Sequence, residues 1–381
     1  MRGPGQWTER CVCVTRSNRA GGVRVLHSMQ TWLPLSEQFV HALVSGSRHP
    51  GVVVARRALE HRDVFPFRPV YSLNRLVPER LRGTRYERRL VTAGLLAIAA
   101  RHRVGLIHHH HAYRMRDPYG LCQRRRLPFV VSLHGHDATA FAHAEAGQVE
   151  GAFETADAVI VPSRFLVGPT EALGVSPERI HVIPAGVDTR WFTPSLVPTD
   201  PAALFVGRFV EKKGLDTLLA AWPQVRDRVP RATLRLVGFG PLQAMADAGG
   251  PGVTVEPTEP LRRAEQVRDA IRAARVVVTP SRTAADGDVE SLLLVNLEAQ
   301  ASGRAVVTTR HGGIPEFVNE GETALVVPEN DPASLAAALV AALSGQGLAE
   351  RLGAAGPSFA AQFEVRSCTA RVDALYDQLA A

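Results

Sequence analysis

A chain of 381 residues with 45% hydrophobic side chains is long enough to build two or three domains, each with its own core. Its net charge of +7 and pI near 9.7 invite an anionic partner, but aromatics are only 6% and the arginines are spread along the chain, which leaves few stacking platforms and argues against nucleic acid. No apolar run reaches the ~20 residues of a membrane helix, and Cys11, Cys13, Cys122 and Cys368 are too dispersed for a disulfide framework or a zinc site. A reducing cytoplasmic setting is the expectation.

Residues 1–22 lack a continuous apolar stretch of signal-peptide length and read as a flexible extension, or as a consequence of start-site choice. The first strand is expected at 23–27. Arg75, Arg80, Arg82, Arg85, Arg88 and Arg89 then form a basic cluster. Its ordinary reading is a solvated surface; its functional reading is peripheral contact with anionic lipid head groups at the inner face of a membrane. His108 to His111 invite a metal, but alternate strand side chains face opposite ways, so four in a row are not expected to converge on one ion. Further short β-branched runs follow at 129–133, 158–161, 203–206, 233–237, 275–279 and 305–309, separated by helical stretches. That rhythm predicts an α/β protein built from βαβ units with parallel sheets. The Pro-rich, polar stretch 191–201 is the predicted linker, between a first domain over 23–190 and a second over 202–360.

The second half carries most of the chemistry. Arg208 and Lys213 follow a predicted buried strand, and the loop closes at Gly214. All but two of the 44 basic residues are arginine, and the two lysines, Lys212 and Lys213, stand side by side in this loop. A compact ammonium suits a phosphate as a point charge. Gly238 and Gly240 lie in a GFGP turn, where Pro241 and the missing third glycine break the dinucleotide fingerprint. Asp286-Gly287-Asp288 has the DxD form of a metal-dependent transferase site, yet reads better as a turn, so no catalytic metal is expected. A buried helix is predicted over 292–301, opening immediately after Glu290, with Ser291 placed to cap it. The open N–H groups of its first turn, at Ser291 and Leu292, suit a phosphate. Glu290 at the helix mouth and Glu298 about two turns on would accept hydrogen bonds from the hydroxyls of a hexose and of a ribose.

Five segments in order resemble the retaining glycosyltransferases of family 4: Val131–Asp137 (VSLHGHD), Ala156–Ser163 (ADAVIVPS), Val182–Asp188 (VIPAGVD), Phe205–Gly214 (FVGRFVEKKG) and Pro280–Glu316. Leu35–Gln38 (LSEQ) is similar to members that build bacterial exopolysaccharides of the colanic-acid type. The resemblance implies the GT-B fold: two Rossmann-like doubly wound parallel-sheet domains facing across a cleft, with a helix in 361–381 crossing back to the first domain. It implies transfer of a hexosyl group, with retention, from a nucleotide diphosphate sugar to a hydroxyl of a saccharide or lipid-linked saccharide in cell-surface polysaccharide or glycoconjugate synthesis. His134 and Glu290 would be catalytic. Arg208, Lys213, Ser291 and Leu292 would hold the donor diphosphate, Glu298 the ribose, and Gly238 and Gly240 would border the base. No cofactor is implied. Where family members carry glycine after the first Glu, this chain has Ser291. Two alternatives stand beside this reading: a nucleotide-sugar epimerase of the same fold, and a basic nucleic-acid-binding protein.

Overall fold

The structure, a computed structural model, describes residues 22–33, 37–62, 65–113, 115–140, 153, 155–257, 264–345 and 347–381. The N-terminal extension, apart from Gly22, and Leu35 and Ser36 of the LSEQ string lie outside the described residues, as does the side chain of Arg85.

Two parallel sheets organise the chain. The first comprises β1 (Val25–Met29), β2 (Gly51–Ala55), β3 (Val70–Ser72), β4 (Leu106–His110), β5 (Phe129–Ser132), β6 (Ala158–Val161) and β7 (Ile180–Val182), in the order β3-β2-β1-β4-β5-β6-β7. The second comprises β8 (Ala202–Val206), β9 (Thr233–Gly238), β10 (Val253–Pro257), β11 (Val276–Thr279), β12 (Ala305–Thr309) and β13 (Ala324–Val327), in the order β10-β9-β8-β11-β12-β13. Every pairing is parallel, and in each sheet the order reverses beside the first strand. Ligands bind outside the carboxyl ends of strands at such a reversal.

Central strands are buried on both faces, which is why they read as unbroken Val/Ile/Leu runs. Within β4, Ile107 packs into the core on one face and Leu106 into the core on the other. The second sheet is sandwiched the same way, with Phe205 and Leu236 on one face and Leu204 and Val237 on the other.

The runs singled out in the sequence correspond to β1, β5, β6, β8, β9, β11 and β12, with β1 displaced two residues towards the C-terminus of its expected span. The central strand β2 is not among those runs although it is apolar and buried, and neither are β3, β7, β10 and β13, the edges of the two sheets. An edge strand is recruited by its neighbour more than by its own pattern.

The stretch beyond β7 forms no regular element between Asp188 and β8. Two buried arginines hold it to the second sheet: Arg275 donates to Pro198 O at 2.9 Å and Arg304 to Ser195 O at 2.9 Å. The last helix, Val365–Ala380, packs back on the first sheet. Its Tyr376 hydroxyl meets His108 Nδ1 at 2.5 Å, and its Asp373 accepts from Ser47 Oγ at 2.5 Å and from the Arg48 amide at 3.0 Å. A short pairing of Val187 with Glu364 joins the two crossings of the chain between the sheets.

Candidate active site

The loop after β8 delivers the cations. It passes Gly207 and the exposed Arg208, then folds into the turn Glu211–Lys213. Lys213 Nζ lies 2.7 Å from Glu290 Oε1. Lys212 Nζ lies 3.0 Å from Asp288 and 4.0 Å from the same Glu290 oxygen. All four side chains are at most 15% exposed, so these ions meet with little water between them. Although burial pushes the Glu290 carboxyl up, the two ammonium groups prevail and hold it at about 2. Burial lowers the Lys213 ammonium, and the Glu290 charge opposes that shift.

Gly238 and Gly240 face this same loop. A Cβ at Gly238 would fall 1.9 Å from Gly207 O, and one at Gly240 would fall 2.5 Å from Phe209 O. Glycine is required at both so that the loop carrying Arg208 can lie against the turn. Asp286-Gly287-Asp288 is a turn, closed by the Gly287 amide on Ala284 O at 2.9 Å and the Ala284 amide on Asp288 O at 3.0 Å. Asp288 also serves as the partner of Lys212, a pairing the turn chemistry alone did not suggest.

The helix expected over 292–301 begins later, as Leu294–Ala301 with Leu293 at its N-cap. Three competing bonds keep the preceding backbone out of helix. The Glu290 amide donates to His311 Nε2 at 3.0 Å, the Gly313 amide donates to Glu290 O at 2.9 Å, and Ser291 Oγ donates to His134 O at 2.7 Å. Ser291 therefore does not cap the helix; it reaches across to the first domain. Leu292 is half-buried on the same extended segment. The helix's free N–H end lies beyond Ser291 and Leu292, and Glu290 precedes the helix by four residues. Glu298 lies inside the helix, where burial raises its carboxyl to about 7. His311, which played no part in the sequence reading, is held by Glu329 Oε1 at 2.8 Å on Nδ1. Since Nε2 accepts a backbone N–H, Nδ1 carries the proton.

His134 follows β5 and faces this segment. Asp137 Oδ1 accepts the amides of His134 at 2.7 Å and Gly135 at 3.0 Å, fixing the turn. The His134 ring lies between Phe39 (centroids 4.8 Å apart) and His111 (4.5 Å, edge-on). Burial lowers the His134 imidazole to about 3, assisted by the charge on His111, so it is neutral. His111 itself lies 3.2 Å from Glu37 and 3.4 Å from Asp137. Burial opposes its charge, but the two carboxylates win and raise it to about 10.

The histidine run divides between the two faces of β4, and a third histidine joins one side from another strand. Alternation does split it, with His109 bonding Tyr113 O at 2.9 Å on one side, yet His108 and His110 converge with His27. Ligand-capable atoms of these three all lie within 4.8 Å of one another. The third member comes from β1, whose register sets His27 opposite His108, and no reading of one strand reveals a partner on another. The cluster is a neutral hydrogen-bonded network: His27 Nδ1 meets His110 Nε2 at 3.1 Å and His108 Nε2 meets Ser132 Oγ at 2.7 Å. Burial holds all three imidazoles below their ordinary value. Among the described residues no carboxylate is paired with this trio, and His27 Nε2 and His110 Nδ1 are buried without a hydrogen-bond partner.

Comparison with known proteins now bears on this geometry. Residues 36–191 match the profile described as Glycosyltransferase Family 4, and residues 200–345 match that of Glycosyl transferases group 1. A Salmonella typhimurium protein provisionally named the colanic acid biosynthesis glycosyltransferase WcaL is 34% identical over 49% of this chain and 48% of its own. The GDP-mannose-dependent alpha-(1-6)-phosphatidylinositol monomannoside mannosyltransferase of Mycolicibacterium smegmatis is 34% identical over 61% of this chain and 65% of its own. The chain thus spans from about half to just under two thirds of these relatives' length. Among solved structures, Anabaena HepE with UDP and glucose superposes with a TM-score of 0.76 at 18% identity, over 93% of this chain and 99% of that one. Sucrose-phosphate synthase from Thermosynechococcus elongatus gives 0.72 at 22%, over 94% and 99%. At such identities the likeness establishes the fold, which is GT-B. With both domains matched in order and the two sheets arranged as that fold requires, the chain belongs to the family 4 glycosyltransferases.

Proposed function

We propose that this protein transfers a hexosyl group from a nucleotide diphosphate sugar to a hydroxyl of a saccharide or lipid-linked saccharide, retaining the anomeric configuration and using no metal ion. One observation carries the reading: Lys213, Lys212, Asp288 and Glu290 form a buried ionic cluster at the end of β8, joined through Ser291 to His134 of the facing domain. In the free protein Lys213 is neutralised by Glu290. A diphosphate brings more than one negative charge to the same ammonium, draws Lys213 to itself together with Arg208, and releases Glu290 to accept hydrogen bonds from the transferred sugar. Those cations then balance the charge that grows on the leaving diphosphate. Neutral His134 faces the sugar, and the leaving phosphate takes the acceptor proton. Glu298 meets the ribose, the N–H end after Ser291 and Leu292 meets the diphosphate, and the base lies beside Gly238 and Gly240.

The setting proposed is synthesis of a cell-surface polysaccharide or glycoconjugate, as the names of its relatives suggest. Exposed Arg75, Arg80, Arg82, Arg88 and Arg89 share one stretch of chain with exposed Leu76 and Tyr86, a combination suited to an anionic membrane surface. No single helix among the described residues is long and apolar enough to cross a membrane. Sedimentation with phosphatidylserine vesicles, weakened by salt and absent with neutral vesicles, is the expected behaviour.

The reading is tested by incubating the protein with nucleotide sugars and a panel of saccharide acceptors, then following nucleoside diphosphate release and the anomeric proton of the product by NMR. Acceptor-dependent release with the donor's configuration kept is the expected outcome. Release or sugar interconversion that needs no acceptor would indicate an epimerase instead.

A further inference from the structure

Glu316 belongs to the second domain, in the turn Ile314–Phe317, yet its carboxylate is engaged by the first. One oxygen accepts the Arg164 amide at 2.8 Å and the other accepts the Phe165 amide at 2.8 Å. Those amides open the turn Arg164–Leu166, which runs directly into the helix Val167–Ala172 beyond β6. The N-cap of that turn, Ser163, makes no side-chain cap bond, and its buried hydroxyl has no hydrogen-bond partner. The local sequence thus leaves the first amides of the turn open, and a carboxylate from the other domain satisfies them.

The loop that carries Glu316 also holds Glu290. His311 accepts the Glu290 amide at 3.0 Å, and the Gly313 amide donates to Glu290 O at 2.9 Å. A Cβ on Gly313 would fall 2.0 Å from Ser291 O and 2.8 Å from Ser163 Oγ, so this position is packed between the Glu290 segment and the first domain. A loop of six residues, 311–316, therefore grips the backbone of Glu290 at one end and the facing domain at the other. The chain crosses between domains elsewhere, where the Val187 amide donates to Phe363 O at 2.8 Å and the Val365 amide to Val187 O at 3.0 Å. That crossing is one link between the domains, the Ser291 bond to His134 O is another, and Glu316 provides a further non-covalent tie.

We propose that Glu316 is an interdomain latch: a positioning residue that docks the 164–166 turn and so sets His134 of one domain against Glu290 of the other. Its kinetic consequence rests on the function proposed above; the docking itself does not. The test combines native-state hydrogen exchange, small-angle scattering and calorimetry on the full chain, comparing the wild type with Glu316→Ala. The latch predicts that the Arg164 and Phe165 amides lose protection and the radius of gyration rises. Affinity for a nucleoside diphosphate, a ligand of the second domain alone, should stay within about twofold, and turnover of any donor found should fall by about tenfold or more, since the variant loses two charge-assisted bonds and one alone corresponds to about that factor. Glu316→Gln keeps the volume and one acceptor oxygen, so it should lose protection at only one of the two amides; it serves also if the alanine variant does not fold. Protection and radius unchanged in both variants would overturn the latch, as would full turnover despite lost protection. If the wild type turns over no donor, the function proposal fails while the exchange and scattering results still decide the docking.

Discussion

Glu290 and Glu298 are two carboxylates on one short segment with opposite electrostatics. Two lysines hold Glu290 at about 2, whereas burial alone raises Glu298 to about 7. Their roles separate in a simple experiment. Glu290→Gln should depress turnover and largely spare affinity for the free nucleoside diphosphate, which carries no sugar. Glu298→Gln should weaken that nucleotide, because the ribose remains on it. Calorimetry with circular dichroism as a folding control gives the answer, and the reverse pattern would exchange the two roles. Lys213→Ala should weaken nucleoside diphosphate and donor together by roughly 1.5–3 kcal/mol, the worth of a charge-assisted hydrogen bond. Unchanged affinity would mark Lys213 as a structural partner of Glu290 only.

Glu298 also makes a pH prediction. Its folded value, about 7, lies above its ordinary 4.5, so the folded state holds a proton that the unfolded state has released between those pH values. The contribution to stability is fully present below 4.5 and is lost as pH rises through 7. Denaturant titrations across that window should show stability falling with pH, and Glu298→Gln should flatten the slope. A slope that survives the substitution would assign it to another group.

Elements were legible in the sequence where burial on both faces imposes a continuous apolar run, as in β6 and β11, and illegible where long-range partners decide the backbone. The start of the helix Leu294–Ala301 is the clearest case. Nothing local to Leu292 forbids helix, but the bonds that hold the preceding residues reach His311, Gly313 and His134, 21, 23 and 157 residues from the residues they hold. The cation loop was legible because rarity marks it: both lysines of the chain sit there. The His27–His108–His110 network was not, since it depends on strand register. That network makes its own prediction about the last helix. Tyr376→Phe removes the hydroxyl paired with His108 inside a buried layer, so chemical unfolding should show a loss of about 1–3 kcal/mol. Nucleotide affinity should not move, because the second domain is untouched. No loss of stability would mean the helix is held by its apolar face alone.

At the scale of the molecule, the two sheets divide the labour between a domain rich in buried histidine and one that carries the ammonium pair. The cleft between them is the place where the separate chemistries meet, through Ser291 and His134. In the function proposed, the second domain receives a nucleotide diphosphate sugar on Lys213 and its neighbours without help from a metal. The most direct measurement is thermal unfolding of the purified protein against a panel of UDP- and GDP-sugars in the presence of EDTA, repeated with Lys213→Ala, since a ligand that binds only the folded state raises its apparent stability. The expected result is a concentration-dependent rise in the wild type for at least one donor, kept in EDTA and largely lost in the variant. No rise with any donor, or a rise that requires magnesium or manganese, would contradict it.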